Sequence, residues 1–285
     1  MYLRKAWDVL LVDDEPDVLS VTKLALKNVE IYGIPIKIHT AGSKNEAIDW
    51  LKTNDSTLSK VALALIDVIM ETDHAGLELC SYMRSDMGNR TSPIYLRTGQ
   101  PGKAPERRII DELDISGYVS KVEATEDRLY TIVKSAVRQF LWARVSEGIL
   151  KATNRLIEVA GSRAKILEGL QMPHWASRNE SAARTKDTLE SHSCLFIGDE
   201  FVGVGNYTER AQAEALRTEL TARPRVETAF GGTVQTGGNK TMLQVDGPVK
   251  VQCLAEHSFD TLPDFYLRAW FGFLAAIRNV WMISK

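Results

Sequence analysis

Five short apolar runs, each stopping at or beside a polar residue, alternate with helix-like stretches over about 140 residues at the start of this chain. The runs are DVLLV (8–12), IPIKIHT (34–40), VALALIDV (61–68), SPIYLRTG (92–99) and GYVSK (117–121). Between them, DVLSVTKLALKNVE carries Val18, Val21, Leu24 and Leu26 at helical spacing, with Pro16 at a first-turn position. Ser43 and Glu46 form a capping box ahead of KNEAIDWLKT. GLELCSYMRS, APERRIIDEL and EDRLYTIVKSAVRQF complete the helical set. Strands that are apolar throughout and regularly separated by helices have few ways to bury themselves. They predict a parallel sheet with helices on both faces.

In such sheets, ligands sit beyond the carboxyl ends of the strands. There the loops carry Asp13-Asp14, Asp67, Thr98 and Lys121. Acids gathered at one rim repel each other, and a hard divalent cation such as Mg²⁺ relieves that repulsion. An aspartate can act as a nucleophile toward phosphorus. Lys121 would then pair with a phosphoryl oxygen, and the Thr98 hydroxyl would donate to another. Glu15 reads as a first-turn partner of the helix dipole, and His74 as a solvated loop residue.

The order LLVDDE, ALIDVIM, LRTG, YVSK resembles the receiver domain of bacterial two-component response regulators, over roughly residues 7 to 140. The resemblance implies a flavodoxin-like five-stranded parallel fold with Asp67 as the phosphoacceptor. It implies Mg²⁺ held by Asp13 through water, by Asp14 and Asp67, and by the backbone carbonyl of Ile69. Thr98 becomes the switch hydroxyl, Lys121 the phosphoryl-binding lysine, and Tyr118 the aromatic that reorients. A sensor histidine kinase is the implied phosphodonor. The chain departs from the common pattern at Glu71, where many receivers have proline, and at Val122, again in place of proline. It also has an extra residue in METDHAG.

The helix opening near Thr125 has no evident stop. Leu129, Ile132, Val133, Ala136, Val137, Phe140 and Leu141 recur at helical spacing, and Leu150, Leu156 and Ile157 extend the stripe. A linker helix of about 125–160 is expected, joining a receiver at 1–140 to a second domain at 141–285. It either pairs with its copy in a homodimer or packs within its own chain. Thr98-Gly-Gln-Pro-Gly followed by Ala104-Pro-Glu resembles receivers that precede a poorly characterised domain, often placed before an HD-GYP phosphodiesterase.

In the second half, SRAKILEGLQ and TERAQAEALRTEL read as helices, the latter with Thr208 as cap candidate, and residues 174–191 read as a loop or irregular helix. Turns are expected at Gly198-Asp199, Gly231-Gly232, Gly237-Gly238-Asn239 and Asp246-Gly247. An aromatic-rich helix closes the stretch. Its stripe of Trp270, Phe271, Phe273, Leu274, Ile277, Val280 and Trp281 is broad enough to suggest a subunit interface. An antiparallel sheet between leading and closing helices makes this an α+β domain that resembles GAF/PAS-type modules.

Bulk properties narrow the function classes. A net charge of −2 gives no electrostatic footprint for nucleic acid. No apolar stretch is long enough for a membrane span. Cys80, Cys194 and Cys253 have no pairing or metal spacing and fit a reducing cytoplasm. No effector catalytic motif is found, so the chain is expected not to be an enzyme beyond slow loss of its own acyl phosphate. Output is expected through an unknown downstream protein. The competing expectations are a small-molecule-sensing adaptor whose receiver is a docking platform, a hydrolase of external phosphoryl groups, and transcriptional control.

Overall fold

The computed structural model describes residues 6–54, 60–99, 107–123, 125–171, 193–203, 207, 209–256 and 261–285. Thr208, residues 174–191, and the Gln100-Pro-Gly and Ala104-Pro-Glu stretches lie outside these. The chain divides into two compact units, Ala6–Ala143 and one built from Arg144–Lys285.

The first unit is built on β1 (Trp7–Val12), β2 (Glu30–Ile31), β3 (Ile34–Ala41), β4 (Val61–Asp67), β5 (Ile94–Thr98) and β6 (Gly117–Ser120). Its helices are α1 (Pro16–Ala25), α2 (Lys44–Asn54), α3 (Ala75–Ser81), α4 (Arg107–Glu112) and the first part of α5 (Glu126–Glu158). The sheet order is β2-β3-β1-β4-β5-β6. Neighbours from β3 through to β6 are parallel, whereas β2 pairs antiparallel with β3. The flavodoxin-like parallel sheet read from the sequence is therefore present, with an added edge strand. That strand follows from a two-residue turn, Tyr32-Gly33, both at positive φ (57° and 69°). Trp7 anchors the edge, its ring N–H donating 2.9 Å to the Ile31 carbonyl.

Every residue of β4 is buried, which its unbroken apolar run anticipates. One core gathers Leu10, Val12, Leu51, Ile66, Leu79, Met83 and Leu96. The capping box at α2 closes one residue early. Glu46 N–H donates to Ser43 Oγ at 3.2 Å, but the Glu46 carboxylate accepts from Gly42 N–H at 2.7 Å. Helix α1 departs from its apolar pattern: Thr22 and Leu26 are buried, whereas Val21 and Leu24 are 64% and 71% exposed. After α3 the chain widens into a π-helical turn, Tyr82–Asp86, that buries Arg84. Arg84 donates to the carbonyls of Asn89, Leu113 and Asp114 at 2.8, 3.0 and 2.9 Å. A charged residue is thus spent on holding the loop after α4, where Asp114 sits at φ 48°.

The second unit contains an antiparallel sheet of β7 (Ser193–Ile197), β8 (Glu200–Gly203), β9 (Val226–Glu227), β10 (Thr233–Gly237), β11 (Lys240–Val245) and β12 (Val251–Ala255). Their order is β8-β7-β12-β11-β10-β9. Helices α6 (Arg163–Gln171), α7 (Arg210–Thr221) and α8 (Asp264–Ile283) accompany it. Ala213, Leu216 and Leu220 of α7 form a core with Cys194, Phe196, Met242 and Leu254. Gln235 closes that end of α7 by donating to the carbonyls of Leu220, Thr221 and Arg223. The α8 residues Trp270, Phe271, Phe273, Leu274, Ile277 and Trp281 are all buried within the chain. Their apolar surface is consumed internally rather than left for a second subunit. No helix among the described residues is long and apolar enough to cross a membrane.

Candidate functional site

The sheet order reverses around β1, whose neighbours β3 and β4 are reached in opposite directions. Ligand crevices form at such a point, beyond the carboxyl ends of the strands. Asp13 directly follows β1, Asp67 ends β4, Thr98 ends β5, and Lys121 directly follows β6.

The Lys121 ammonium draws these ends together. It lies 2.9 Å from Asp67 Oδ2, 3.2 Å from Asp13 Oδ1 and 2.6 Å from Glu15 Oε1. Asp13 and Asp67 are buried, so this contact is poorly screened by water. Burial lowers the Lys121 ammonium, but hydrogen bonds to Asp67 and Glu15 outweigh it and hold it above its ordinary value. Burial pushes the Asp67 carboxyl above the usual carboxylate range. Lys121 opposes that rise, and the charges of Asp13 and Asp14 add to it. Glu15, exposed and paired with Lys121, is held below its ordinary value.

Asp13, Glu15 and Asp67 each offer a carboxylate oxygen, all within 4.8 Å of one another, a spacing a metal ion could span. The grouping differs from the sequence expectation. Asp14 is exposed and stands outside the three, while Glu15, expected only to complement the helix dipole, stands within it. Glu15 is the N-cap residue of α1 in extended conformation, which suits the reach of its carboxylate toward Lys121. Thr98 is buried at the rim, and its backbone partner on β6 is Ser120, one residue before Lys121. Tyr118 is 49% exposed and Ile69 43% exposed.

The loop after β4 is fixed from two sides. Gly76 N–H donates 3.1 Å to the Val68 carbonyl. Glu71, standing where many receivers have proline, accepts from the Lys44 backbone N–H at 3.0 Å. Lys44 is the first residue of α2, and a carboxylate there complements the helix dipole. Its side chain in turn pairs with Glu78 of α3.

One buried residue of the site has no counterpart in the sequence reading. Arg97, penultimate in β5, is 4% exposed. Its Nη1 lies 3.0 Å from Thr22 Oγ1 and 3.9 Å from Asp13 Oδ2. Burial lowers the guanidinium, against the raising effect of Asp13, Asp67 and Glu15. In sequence, an arginine between Leu96 and Thr98 carries no sign that it will be buried.

Residues 9–134 match the family model described as the response regulator receiver domain. With the parallel sheet and the acidic rim, this makes the first unit a receiver domain. The chain is also 40% identical, over 140 residues, to the 3'3'-cGAMP-specific phosphodiesterase 2 of Vibrio cholerae serotype O1. That alignment takes in 49% of this chain and only 26% of the Vibrio enzyme.

Among solved structures, the signal receiver domain of an HD domain-containing protein from Pseudomonas fluorescens Pf-5 is similar. It shows 19% identity and a TM-score of 0.41, covering 50% of this chain and 96% of that one. The N-terminal domain of a response regulator receiver protein from Methanoculleus marisnigri JR1 shows 26% identity and a TM-score of 0.33. It covers 45% of this chain and 94% of its own.

The Vibrio relative corrects one expectation. Without an effector motif, the sequence predicts no enzymatic output. A protein sharing 40% identity over 140 residues is itself a phosphodiesterase. The receiver motifs do not by themselves name the chemistry they govern, so they could not exclude an enzyme.

Proposed function

We propose that Asp67 accepts a phosphoryl group from a histidine kinase in a Mg²⁺-dependent signalling step. The observation that carries this reading is the meeting of Lys121 with Asp67 at 2.9 Å and with Asp13 at 3.2 Å. Three strand ends far apart in sequence thereby share one cation. A Lys-acid contact alone would serve stability, but two buried acids beside a third and only part-exposed lysine suit an added phosphoryl group.

The donor set fits a hard divalent cation. All the ligand groups are oxygens, and Asp13 Oδ2 is buried without a hydrogen-bond partner. Asp13, Asp14 and Asp67, with the Ile69 carbonyl, would hold the ion, and Glu15 stands close enough to join them. When bound, Mg²⁺ supplies charge neutralisation for the phosphoryl oxygens and the crowded acids.

A carboxylate oxygen of Asp67 forms the new bond to phosphorus as the donor's leaving group departs. Lys121, already at hydrogen-bond distance, pairs with a phosphoryl oxygen. The Thr98 hydroxyl donates to another. Tyr118, half in solvent, has room to turn toward the space that Thr98 vacates. Val21 and Leu24 on α1 and Val122 after Lys121 (80% exposed) offer apolar contacts to a docking kinase.

The change is passed along α5, a single helix of 33 residues that contains both Ala143 and Arg144, where the two units divide. Trp142, Leu150 and Ile157 are 55%, 64% and 63% exposed along it, near heptad spacing, which supports pairing with a second copy. The antiparallel order of the second unit supports a GAF/PAS-like sensor role. The output that this receiver governs is phosphodiester hydrolysis; the 40% identity to the Vibrio enzyme supports it. The test is labelling of the full chain by a small phosphodonor. Base-labile, acid-stable label that forms with Mg²⁺ and fails to form when EDTA is added before the donor supports the reading; label that forms equally in EDTA overturns it.

A further inference from the structure

We infer that Arg97 is a positioning residue for the metal site, a buried guanidinium that competes with the divalent cation for Asp13 and is held back from it by Thr22. The inference rests on the metal reading above and adds a residue to it. Asp13 Oδ1 is already engaged, by the Glu15 backbone N–H at 3.1 Å and by Lys121 at 3.2 Å. Oδ2 is the Asp13 oxygen left over, and it is buried without a hydrogen-bond partner. Arg97 faces it through Nη1, the nitrogen that Thr22 engages, while the guanidinium's Nε is buried and unpartnered. Nη1 and Asp13 Oδ2 carry opposite charges but stop at 3.9 Å. A charge-assisted hydrogen bond would close to roughly 2.7–2.9 Å.

What stops them is α1. Arg97 Nη1 donates to Thr22 Oγ1 at 3.0 Å, and that hydroxyl is itself fixed, donating 2.7 Å to the Val18 carbonyl. Thr22 is the buried polar residue of an otherwise half-exposed helix. The arrangement keeps one Asp13 oxygen available to an ion while a fixed positive charge lowers the attraction for that ion. A purely structural arginine would close the salt bridge instead.

The two partners therefore make opposite predictions. Removing the cation strengthens the site's hold on a metal; removing its tether lets it take Asp13 and weakens that hold. The probe is Mn²⁺, titrated into the full chain and followed by the electron paramagnetic resonance signal of the free ion. Arg97→Met is expected to tighten Mn²⁺ binding by on the order of tenfold. Thr22→Val, which keeps the shape and the charge, is expected to loosen it. Loss of packing alone would loosen both.

If both variants bind Mn²⁺ as the unaltered chain does, or both loosen, the inference is overturned. If only Thr22→Val is unmoved, the tether falls and the competing charge stands. If Arg97→Met does not fold, as circular dichroism would show, Arg97→Gln takes its place: tightened binding supports the inference, and unchanged or loosened binding overturns it. An unaltered chain with no Mn²⁺ site would overturn the metal reading and this inference together, whereas a working site insensitive to both residues overturns only this one.

Discussion

A β-carbon on Gly76 would lie 2.0 Å from the carbonyl oxygen of Asp67. The first turn of α3 is therefore pressed directly against the backbone of the proposed phosphoacceptor. The same residue's N–H holds the Val68 carbonyl at 3.1 Å. Gly76→Ala must push the helix or the strand end away. We predict a loss of about 1–3 kcal/mol in unfolding free energy of the receiver, with phosphodonor labelling reduced alongside. Urea titration and labelling check both; a variant equal to the unaltered chain in each would refute the close approach.

Arg84 makes a structural use of a charge. Its three carbonyl contacts, to Asn89, Leu113 and Asp114, are in a buried setting. Arg84→Met leaves those acceptors short of donors, at about 2–4 kcal/mol in total. Hydrogen exchange should quicken selectively around residues 113–116, with the second unit unaffected. Uniform exchange throughout would contradict the local role.

Lys121→Ala removes the cation that Asp13, Glu15 and Asp67 share. The fold should persist, because the sheet pairs through the backbone. The metal can supply part of the missing charge during labelling, so the decisive readout is the conformational response: phosphodonor-induced change in hydrogen exchange at Thr98 and Tyr118 should be lost. An undiminished change would argue against a phosphoryl-binding lysine.

Leu150 and Ile157 are exposed and seven residues apart on α5 by their numbering. If a second copy covers them, Leu150→Glu with Ile157→Glu should convert a dimer to a monomer in sedimentation equilibrium without altering the receiver's labelling. A pair of acids that leaves the mass unchanged from a dimeric parent would place the interface elsewhere.

Much of the receiver was legible because its signals are local and periodic. Apolar runs wrote out β1 and β4, and the acids after them marked the rim. Gly198, Gly231 and Gly238, at φ 61°, 83° and 62°, sit where glycine-rich turns were read in the second unit. What escaped depended on partners distant in the chain. Arg97 reads as an ordinary surface charge until Asp13 and Thr22 are brought to it. Glu15 reads as a dipole partner until Lys121, separated from it by 106 positions, arrives at its carboxylate. β2 is not legible, because two residues carry no period, although the Tyr32-Gly33 turn beside it is. Val21 and Leu24 kept the helical spacing of α1, but the face that packs inward is the one bearing Thr22.

The central claim is that one particular carboxylate, Asp67, carries the phosphoryl group. The most direct measurement treats the full chain with a small phosphodonor and Mg²⁺, reduces the acyl phosphate with tritiated borohydride, and maps the tritium by peptide sequencing. The account predicts tritium at position 67, and none anywhere in Asp67→Asn. Tritium at Asp13, Asp14 or Glu15 in the unaltered chain, or undiminished incorporation in Asp67→Asn, would contradict it.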